Sequence, residues 1–445
     1  MPALTTGAHP ALPQGIVGQG LIRTVPGWES RAAYEAGGGY RPGLRGAALI
    51  DAVAGRGLRG RGGAAFPVAR KLAAVAARPG DRVVVVNGEE GEPASVKDRW
   101  LLRARPHLVL DGALRAADAV GATTAYLYVS DTAAAASLDA ALAELDHLPV
   151  DVRVVQVEPG YVAGEETAVV NAINGRPAKP SEKPPRPFEE GVRGLPTLVS
   201  NAETIASLPA VALGTASRPP SFLMTLGGAV PRPGLYEVPF GTPLGEVTEV
   251  LGGLAGTALR DVRGYVMGGY FAGLVNSRGH GLPLDYDALR AAGTGLGCGA
   301  VTVLGPGDCA VGAAALLLAY FGRENAGQCG SCFNGTAAMA GVAGALARGK
   351  AGQADVQRLE RWCGFLPGRG ACGTLDGAVN VAASLLREFP GEVRAHLHRP
   401  CPLCAEADFL AAASPFALSP DSITPPAGVL RPAAPRPASH AEAAR

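Results

Sequence analysis

Residues 57–71 read GLRGRGGAAFPVARK, and residues 83–93 read VVVVNGEEGEP. Gly57, Gly60, Gly62 and Gly63 leave a backbone with few Cβ atoms, so its N–H groups can close around a phosphate. Arg59, Arg61, Arg70 and Lys71 add positive charge to the same loop. The composition of 66–77 predicts a helix whose N-terminal partial charge backs the loop. A strand is predicted over 82–87, and three carboxylates follow it, Glu89, Glu90 and Glu92. A phosphate cradle beside an acidic strand end suggests a nucleotide or flavin site. Residues 60–65, GRGGAA, also fit a G-x-G-x-x-A dinucleotide fingerprint. That fingerprint should follow a strand. Residues 46–54 (GAALIDAVA) predict a helix instead, so the loop is expected between two helices. The plainer alternative is a glycine-rich surface loop. The arginines and the GEEGEP run argue for the site.

A chain of 445 residues should hold two or three domains, and 47% hydrophobic content supplies ample cores. A net charge of +1 argues against general nucleic-acid binding, which needs a concentrated basic face. The 62 glycines and 37 prolines show no period, so no fibrous reading follows. The opening MPALTTGAHPALPQ lacks the basic and apolar regions of a signal peptide. The longest strongly apolar run, 311–321, falls short of the roughly 20 residues that span a bilayer. A soluble, cytoplasmic protein is expected, with any membrane link made through partners. All eight cysteines lie from Cys298 to Cys404, which points to metal or redox chemistry rather than a disulfide framework.

Residues 1–44 predict an extended lead-in. Residues 45–218 alternate, with strands at 82–87, 124–129 and 152–157 and helices at 107–120, 134–146 and 165–174, an α/β pattern. The run 179–187 (KPSEKPPRP) is a stiff loop. Residues 219–292 predict short strands around one helix at 243–251. Residues 293–400 turn helical from 308, with helices at 310–322, 336–349, 355–362 and 375–387, a bundle pattern. Residues 401–445 hold a Cys pair and a Pro/Ala-rich tail expected to be disordered.

Four motifs now carry a resemblance. Gly57 to Lys71 matches GxRGRGGAGFPTGxKW, with Ala65 for Gly, Val68 for Thr and Ala69 for Gly. Residues 87–93 (NGEEGEP) match N-A-D-E-G-E-P, and 161–167 (YVAGEET) match Y-x-C-G-E-E-T. Residues 196–204 (PTLVSNAET) match P-T-x-x-N-N-x-E-T. Over about 45–395 the chain resembles the flavin- and NADH-binding subunit of respiratory complex I and its relatives in NAD-linked hydrogenases and formate dehydrogenases. The resemblance implies an α/β flavin-binding domain, a β-grasp domain of the soluble-ligand-binding type, and a C-terminal helical bundle carrying an iron–sulfur site. It implies FMN, with its phosphate on the amides of Gly60, Arg61, Gly62, Gly63 and Ala64. Phe66, Glu90, Tyr161, Gly164 and Thr204 join the cofactor set from the same motifs. Asn87, Glu89, Ser200 and Asn201 are expected on the flavin ring or ribityl chain. Lys71, Glu92, Glu165 and Glu166 are expected to place the dinucleotide, with Glu92 and Lys71 as the catalytic pair. The alternative for Glu165 and Glu166 is an acidic pair that stabilises a helix N-terminus.

Two departures touch the dinucleotide site. Leu72 replaces a frequent Trp. The family's K-P-P-F-P is met by Lys183-Pro184-Pro185-Arg186-Pro187, so Arg186 stands for a stacking aromatic. Arginine can stack on adenine, or pair with the 2′-phosphate of NADPH, or mark a weakened site.

The family's E-S-C-G-x-C-x-P-C run is met by 324–332, ENAGQCGSC. The resemblance makes Cys329, Cys332 and Cys372 ligands of an iron–sulfur cluster, and the first ligand position is Ala326. A [3Fe–4S] cluster, or a [4Fe–4S] cluster with a substitute ligand, is expected, and Cys363 is the nearest spare thiol. Competing readings are zinc on Cys329, Cys332, Cys401 and Cys404, or buried cysteines without a metal. Cys298 and Cys309 are expected as small buried residues.

The expected function is electron input. NAD(P)H reduces FMN, and electrons pass singly through the cluster to a small ferredoxin or another iron–sulfur subunit, with a membrane redox partner beyond it. The alternatives are an FMN/iron–sulfur protein that exchanges electrons with a ferredoxin without NAD(P)H, and a non-catalytic zinc-bearing scaffold.

Overall fold

The computed structural model describes residues 20–22, 28–216, 220–254, 257–404 and 414–420. Four strands, β1 (Val83–Asn87), β2 (Thr124–Val129), β3 (Asp151–Gln156) and β4 (Thr197–Asn201), form a parallel sheet in the order β3-β2-β1-β4. The four consecutive valines of β1 are all buried, as in a parallel strand covered on both faces. Around the sheet run α1 (Arg31–Ala36), α2 (Gly46–Gly55), α3 (Val68–Ala76), α4 (Lys97–Ala104), α5 (Pro106–Val120), α6 (Thr132–Ala143), α7 (Glu166–Ile173), α8 (Ala202–Ala206) and α9 (Leu208–Ala212). Helix α5 starts with Pro106 and stops at Gly121, which adopts φ +70°.

The expected extended lead-in is corrected where it is described. Ser30 caps α1, and the buried Tyr34 hydroxyl donates to Asp111 at 2.8 Å. Glu29 is buried against Arg105 at 3.1 Å, and Ile22 is fully buried. A paired buried charge and a bonded tyrosine hold this segment to α5. Residues 1–19 lie outside the described residues.

The second sheet contains β5 (Ser221–Gly228), β6 (Gly234–Pro239), β7 (Gly264–Met267), β8 (Leu274–Asn276) and β9 (Ala300–Leu304), ordered β6-β5-β9-β7-β8. Helices α10 (Leu244–Val250), α11 (Thr257–Arg260) and α12 (Tyr286–Ala291) interrupt the strands. β9 runs parallel to β5 and antiparallel to β7. The expected boundary at 292/293 is therefore corrected. β9 is fully buried at the centre of this sheet, and the helical region begins after it. The apolar run 264–275, one of the short strands expected in 219–292, divides into β7 and β8 at Gly268 and Gly269, whose φ values are +63° and +72°. A Cβ on Gly269 would lie 2.3 Å from the Glu92 carboxyl carbon, so only glycine fits there.

The last five helices are α13 (Ala310–Glu324), α14 (Gly330–Ala347), α15 (Gln353–Phe365), α16 (Thr374–Glu388) and α17 (Pro390–Ala395). Leu317, Phe321, Met339, Leu346, Leu359, Leu375 and Leu385 form their shared core. Of the expected tail, residues 414–420 pack back on the first domain, where the Leu418 N–H donates to the Pro93 carbonyl at 2.9 Å. Residues 405–413 and 421–445 lie outside the described residues. Among the described residues, no helix is long and apolar enough to cross a membrane.

Candidate functional site

The glycine loop joins α2 to α3, as expected. An antiparallel bridge between Arg59 and Pro67 closes its neck, and the Gly60 N–H donates to the Phe66 carbonyl at 2.9 Å. The Arg61 N–H donates to Thr204 Oγ1 at 2.9 Å, so Thr204 anchors the loop. A Cβ on Gly62 would come within 3.3 Å of Asn201 Cβ. The loop therefore lies on the carboxyl end of β4. Asn87 and Asn201 end β1 and β4 in register, and strand order reverses at β1. Ligands of parallel α/β sheets lodge at such a crevice. Ala65 stands in the left-handed region at φ +51°, where the resemblance expects glycine. A Cβ in that region costs roughly 1–2 kcal/mol.

Arg61 is corrected as a source of charge for a phosphate. Its guanidinium is buried 4.5 Å over Phe240, donates to the Ser221 carbonyl at 3.0 Å and lies 3.8 Å from Glu203. It ties the loop to the second sheet, and because the Gly60 and Arg61 N–H groups are bonded to Phe66 and Thr204, the expected phosphate donors reduce to the amides of Gly62, Gly63 and Ala64. Phe66 is exposed, with the Arg70 guanidinium 5.4 Å from its ring.

The three carboxylates after β1 have different environments. Glu89 is buried, receives the Gly160 N–H at 3.0 Å and the Ser130 hydroxyl, and burial raises its pKa. Glu90 accepts from Ser95 Oγ at 2.5 Å and from the N–H groups of Asp98 and Arg99, at 3.2 and 3.1 Å. It caps α4, which gives it a structural task that the resemblance did not imply. Glu92 receives the Tyr270 N–H at 2.9 Å and the Ala94 N–H at 3.4 Å. Burial pushes its pKa up to about 8, so it carries its proton at neutral pH.

A chain of charges lies beside them. Lys71 donates to the Val199 carbonyl at 2.8 Å and to Glu166 at 3.3 Å. Lys183 contacts Glu165 at 2.6 Å and Glu166 at 3.2 Å. Burial opposes ionisation of Glu166, yet the two ammonium groups hold its pKa below the ordinary value. Glu165 caps α7 through the Thr167 and Ala168 N–H groups, the helix-terminal role weighed for it. Gly164 accepts from Asn87 Nδ2 at 2.7 Å, and a Cβ on Gly164 would crowd the Glu89 carbonyl at 3.0 Å. Tyr161 wedges edge-on against Tyr320 and Phe321 of α13, and burial raises its pKa. Ser200 is buried near the end of β4, and Arg186 is exposed.

Behind Asn201 lies a buried triad absent from the sequence expectations. Lys97 Nζ sits 2.9 Å from Asp98 and 3.0 Å from Glu203. Asn201 donates to Asp98 at 2.7 Å and accepts the Glu203 N–H at 3.0 Å, capping α8. The triad fixes the Asn201 rotamer. The Lys97-Asp98 pair directly after GEEGEP, and Glu203 inside a quoted motif, were the available signals.

Cys329, Cys332 and Cys372 line one cavity together with Pro180, Ala326 and Gly327. Cys329 precedes α14, Cys332 lies in its first turn, and Cys372 precedes α16. The Ala371 N–H points at Cys329 Sγ from 3.5 Å, and Cys372 Sγ lies 3.3 Å from Thr374 Oγ1. Burial, with Cys372 and Cys329 nearby, pushes the Cys332 thiol up to about 11. Three soft donors on one cavity fit an iron–sulfur cluster, with the Ala326 methyl at the fourth position. Cys363, on α15, does not line this cavity, so the substitute-ligand expectation has no support there. The four-cysteine zinc set is also corrected. Cys401 and Cys404 lie elsewhere, grouped with Cys309 and His396.

The Nuo51 FMN-binding domain matches residues 53–210, and the NADH-ubiquinone oxidoreductase-F iron-sulfur binding region matches residues 312–396. The second F-type subunit of NADH-quinone oxidoreductase from Rhizobium meliloti (strain 1021) is 33% identical over 418 residues, covering 86% of this chain and 98% of that protein. The corresponding F-type subunit of Escherichia coli (strain K12) is 30% identical over 402 residues, covering 84% and 89%. The NAD+-reducing [NiFe]-hydrogenase in its H2-reduced state matches with a TM-score of 0.70 and 29% identity. That match covers 80% of this chain and 63% of the hydrogenase chain, less than two thirds of it. The chain belongs to the family of NADH-quinone oxidoreductase F-type subunits, as an oxidoreductase whose cofactors are FMN and an iron–sulfur cluster.

Proposed function

We propose that this chain is an electron-input subunit, which oxidises NAD(P)H at the crevice between β1 and β4 and delivers electrons to an iron–sulfur partner protein. The observation that carries this reading is the loop 179–187. Its Pro180 lines the three-cysteine cavity, and its Lys183 pairs with Glu165 and Glu166 beside Lys71. One loop thus touches both the proposed dinucleotide entrance and the proposed cluster site.

When bound, FMN takes a hydride from the nicotinamide and the cluster carries electrons one at a time. The amides of Gly62, Gly63 and Ala64 hold the FMN phosphate, while those of Gly60 and Arg61 close the loop on the Phe66 carbonyl and Thr204 Oγ1. Asn87, Glu89, Ser200 and Asn201 orient the flavin, and Tyr161 packs this region against α13. Glu92, protonated at neutral pH, keeps the crevice wall uncharged. Lys71 and Glu166 set the dinucleotide, while Glu165 holds the start of α7. Cys329, Cys332 and Cys372 bind the cluster. The mixed sheet acts as a β-grasp platform between the two cofactor regions. The chain works in the cytoplasm, peripheral to a membrane complex.

Arg186 sets the cofactor preference. It is exposed, and no ion pair of its side chain occurs among the described residues. A guanidinium there can pair with a 2′-phosphate, a contact worth roughly 1.5–3 kcal/mol, or on the order of ten- to a hundredfold in affinity. Flavin reduction rates with NADH and NADPH, in the wild type and in Arg186→Phe, test this. NADPH should lose ground in the variant. Equal rates in both proteins refute the phosphate role, and no reduction by either nucleotide supports exchange with a ferredoxin instead.

A further inference from the structure

Cys309, His396, Cys401 and Cys404 bring one potential ligand atom each to a common point, all within 4.8 Å of one another. We infer that they form a structural zinc site, separate from the iron–sulfur cavity. Cys309 Sγ lies 3.3 Å from His396 Nε2, and Cys404 Sγ lies 3.7 Å from the same nitrogen. A tetrahedral zinc with Zn–S of about 2.3 Å and Zn–N of about 2.0–2.1 Å spaces its donors about 3.5–3.8 Å apart. The set is close to that spacing before any ion is added. A cubane cluster spreads its thiolates over separate irons and needs a wider set. Four donors this close enclose one ion.

The surroundings favour a metal. His396 Nδ1 lies 2.7 Å from the Glu392 carbonyl, so Nδ1–H donates and the bare Nε2 faces the thiols. Glu392 accepts the Ala310 N–H at 3.2 Å and is held by Arg263 at 2.7 Å. Arg263 also donates to the Asp308 carbonyl at 2.5 Å, which fixes the backbone before Cys309. The Cys404 N–H donates to the Cys401 carbonyl at 3.0 Å, the tight turn of a C-x2-C ligand pair. Cys309 directly precedes the fifteen-residue helix α13, whose N-terminus favours a thiolate. Cys309, His396 and Cys404 are buried. Three thiolates and one imidazole complete a tetrahedron and leave no open position, so the site is structural rather than catalytic.

Its task follows from the chain path. Residues 398–404 contain no helix or strand. The metal would tie them to the start of α13, ahead of the segment in which Leu418 meets Pro93 beside Glu92.

The test is metal analysis of the full chain purified anaerobically. It should contain about one zinc per chain in addition to iron. The pair Cys401→Ser/Cys404→Ser should lose zinc by at least about tenfold with iron unchanged. Cys404→His, which keeps a ligand, should retain zinc, and this separates ligation from packing. Cobalt(II) added to zinc-free protein should give the visible bands of a tetrahedral thiolate site. Protein without zinc that gives no such spectrum overturns the proposal. A disulfide found by mass among Cys309, Cys401 and Cys404 also overturns it, as does iron at the site in place of zinc.

Discussion

Cys329, Cys332 and Cys372 line a cavity shared with Pro180 of the flavin domain, whereas Cys309, His396, Cys401 and Cys404 converge on a single point. The first group has three donors and a methyl, Ala326, at the fourth position. The second has four donors, three of them buried, held by Glu392 and Arg263. Both contain a C-x2-C pair, so spacing alone does not distinguish them. Donor separation, and what lies next to the donors, assigns one to electron transfer and the other to holding the chain.

The largest expected effect comes from Cys332→Ser. Iron and the broad visible absorption should fall to near zero while zinc stays at the wild-type level. Parallel loss of both metals in a folded variant would undo this contrast, because the two groups would then form one site.

Ala326→Cys probes the first group further. A thiol in the fourth position would complete the cluster and slow its bleaching in air severalfold. The EPR signal should also shift from three-iron to four-iron character if the wild type holds the smaller cluster. An unchanged signal and unchanged bleaching would mean that another ligand already fills that position.

A smaller effect tests how the segment beyond Cys404 meets the first domain. Leu418 bonds to Pro93, next to the buried Glu92. The Glu92 pKa is raised by burial from 4.5 to about 8. Its stabilising contribution is therefore fully present below about pH 4.5 and is lost as pH rises through about 8, because the unfolded carboxylate ionises first. Glu92→Gln should flatten the pH dependence of Tm across that window and raise Tm at its upper end. An unaltered profile in the variant would mean that Glu92 is solvated.

Much of the first sheet was legible. Strands at 82–87, 124–129 and 152–157 match β1, β2 and β3 within one residue, because apolar and β-branched runs stand between turn residues. β9 was not legible, since the five-residue run AVTVL between glycines is too short to carry a period that separates a strand from a helix start. Its place between β5 and β7 is set by pairing. Arg61 read as a phosphate partner because its neighbours are glycines, yet tertiary packing turned it onto Phe240. Lys97, Asp98 and Glu203 carried no expectation from the sequence, because only the fold buries them together. Of the seven donors, Cys329, Cys332 and Cys372 were legible through the resemblance. His396 was not, because a single histidine has no partner in sequence, and Cys309 lies 87 residues away from it.

The most direct test of electron input through flavin and cluster is an anaerobic titration of the purified chain with NADH and NADPH, followed by visible absorption and EPR. In the wild type the flavin absorption should bleach while a cluster signal grows. In Cys332→Ser the flavin should still bleach, with no cluster signal. A flavin-free protein, or a flavin that neither nucleotide reduces, would contradict the proposed function.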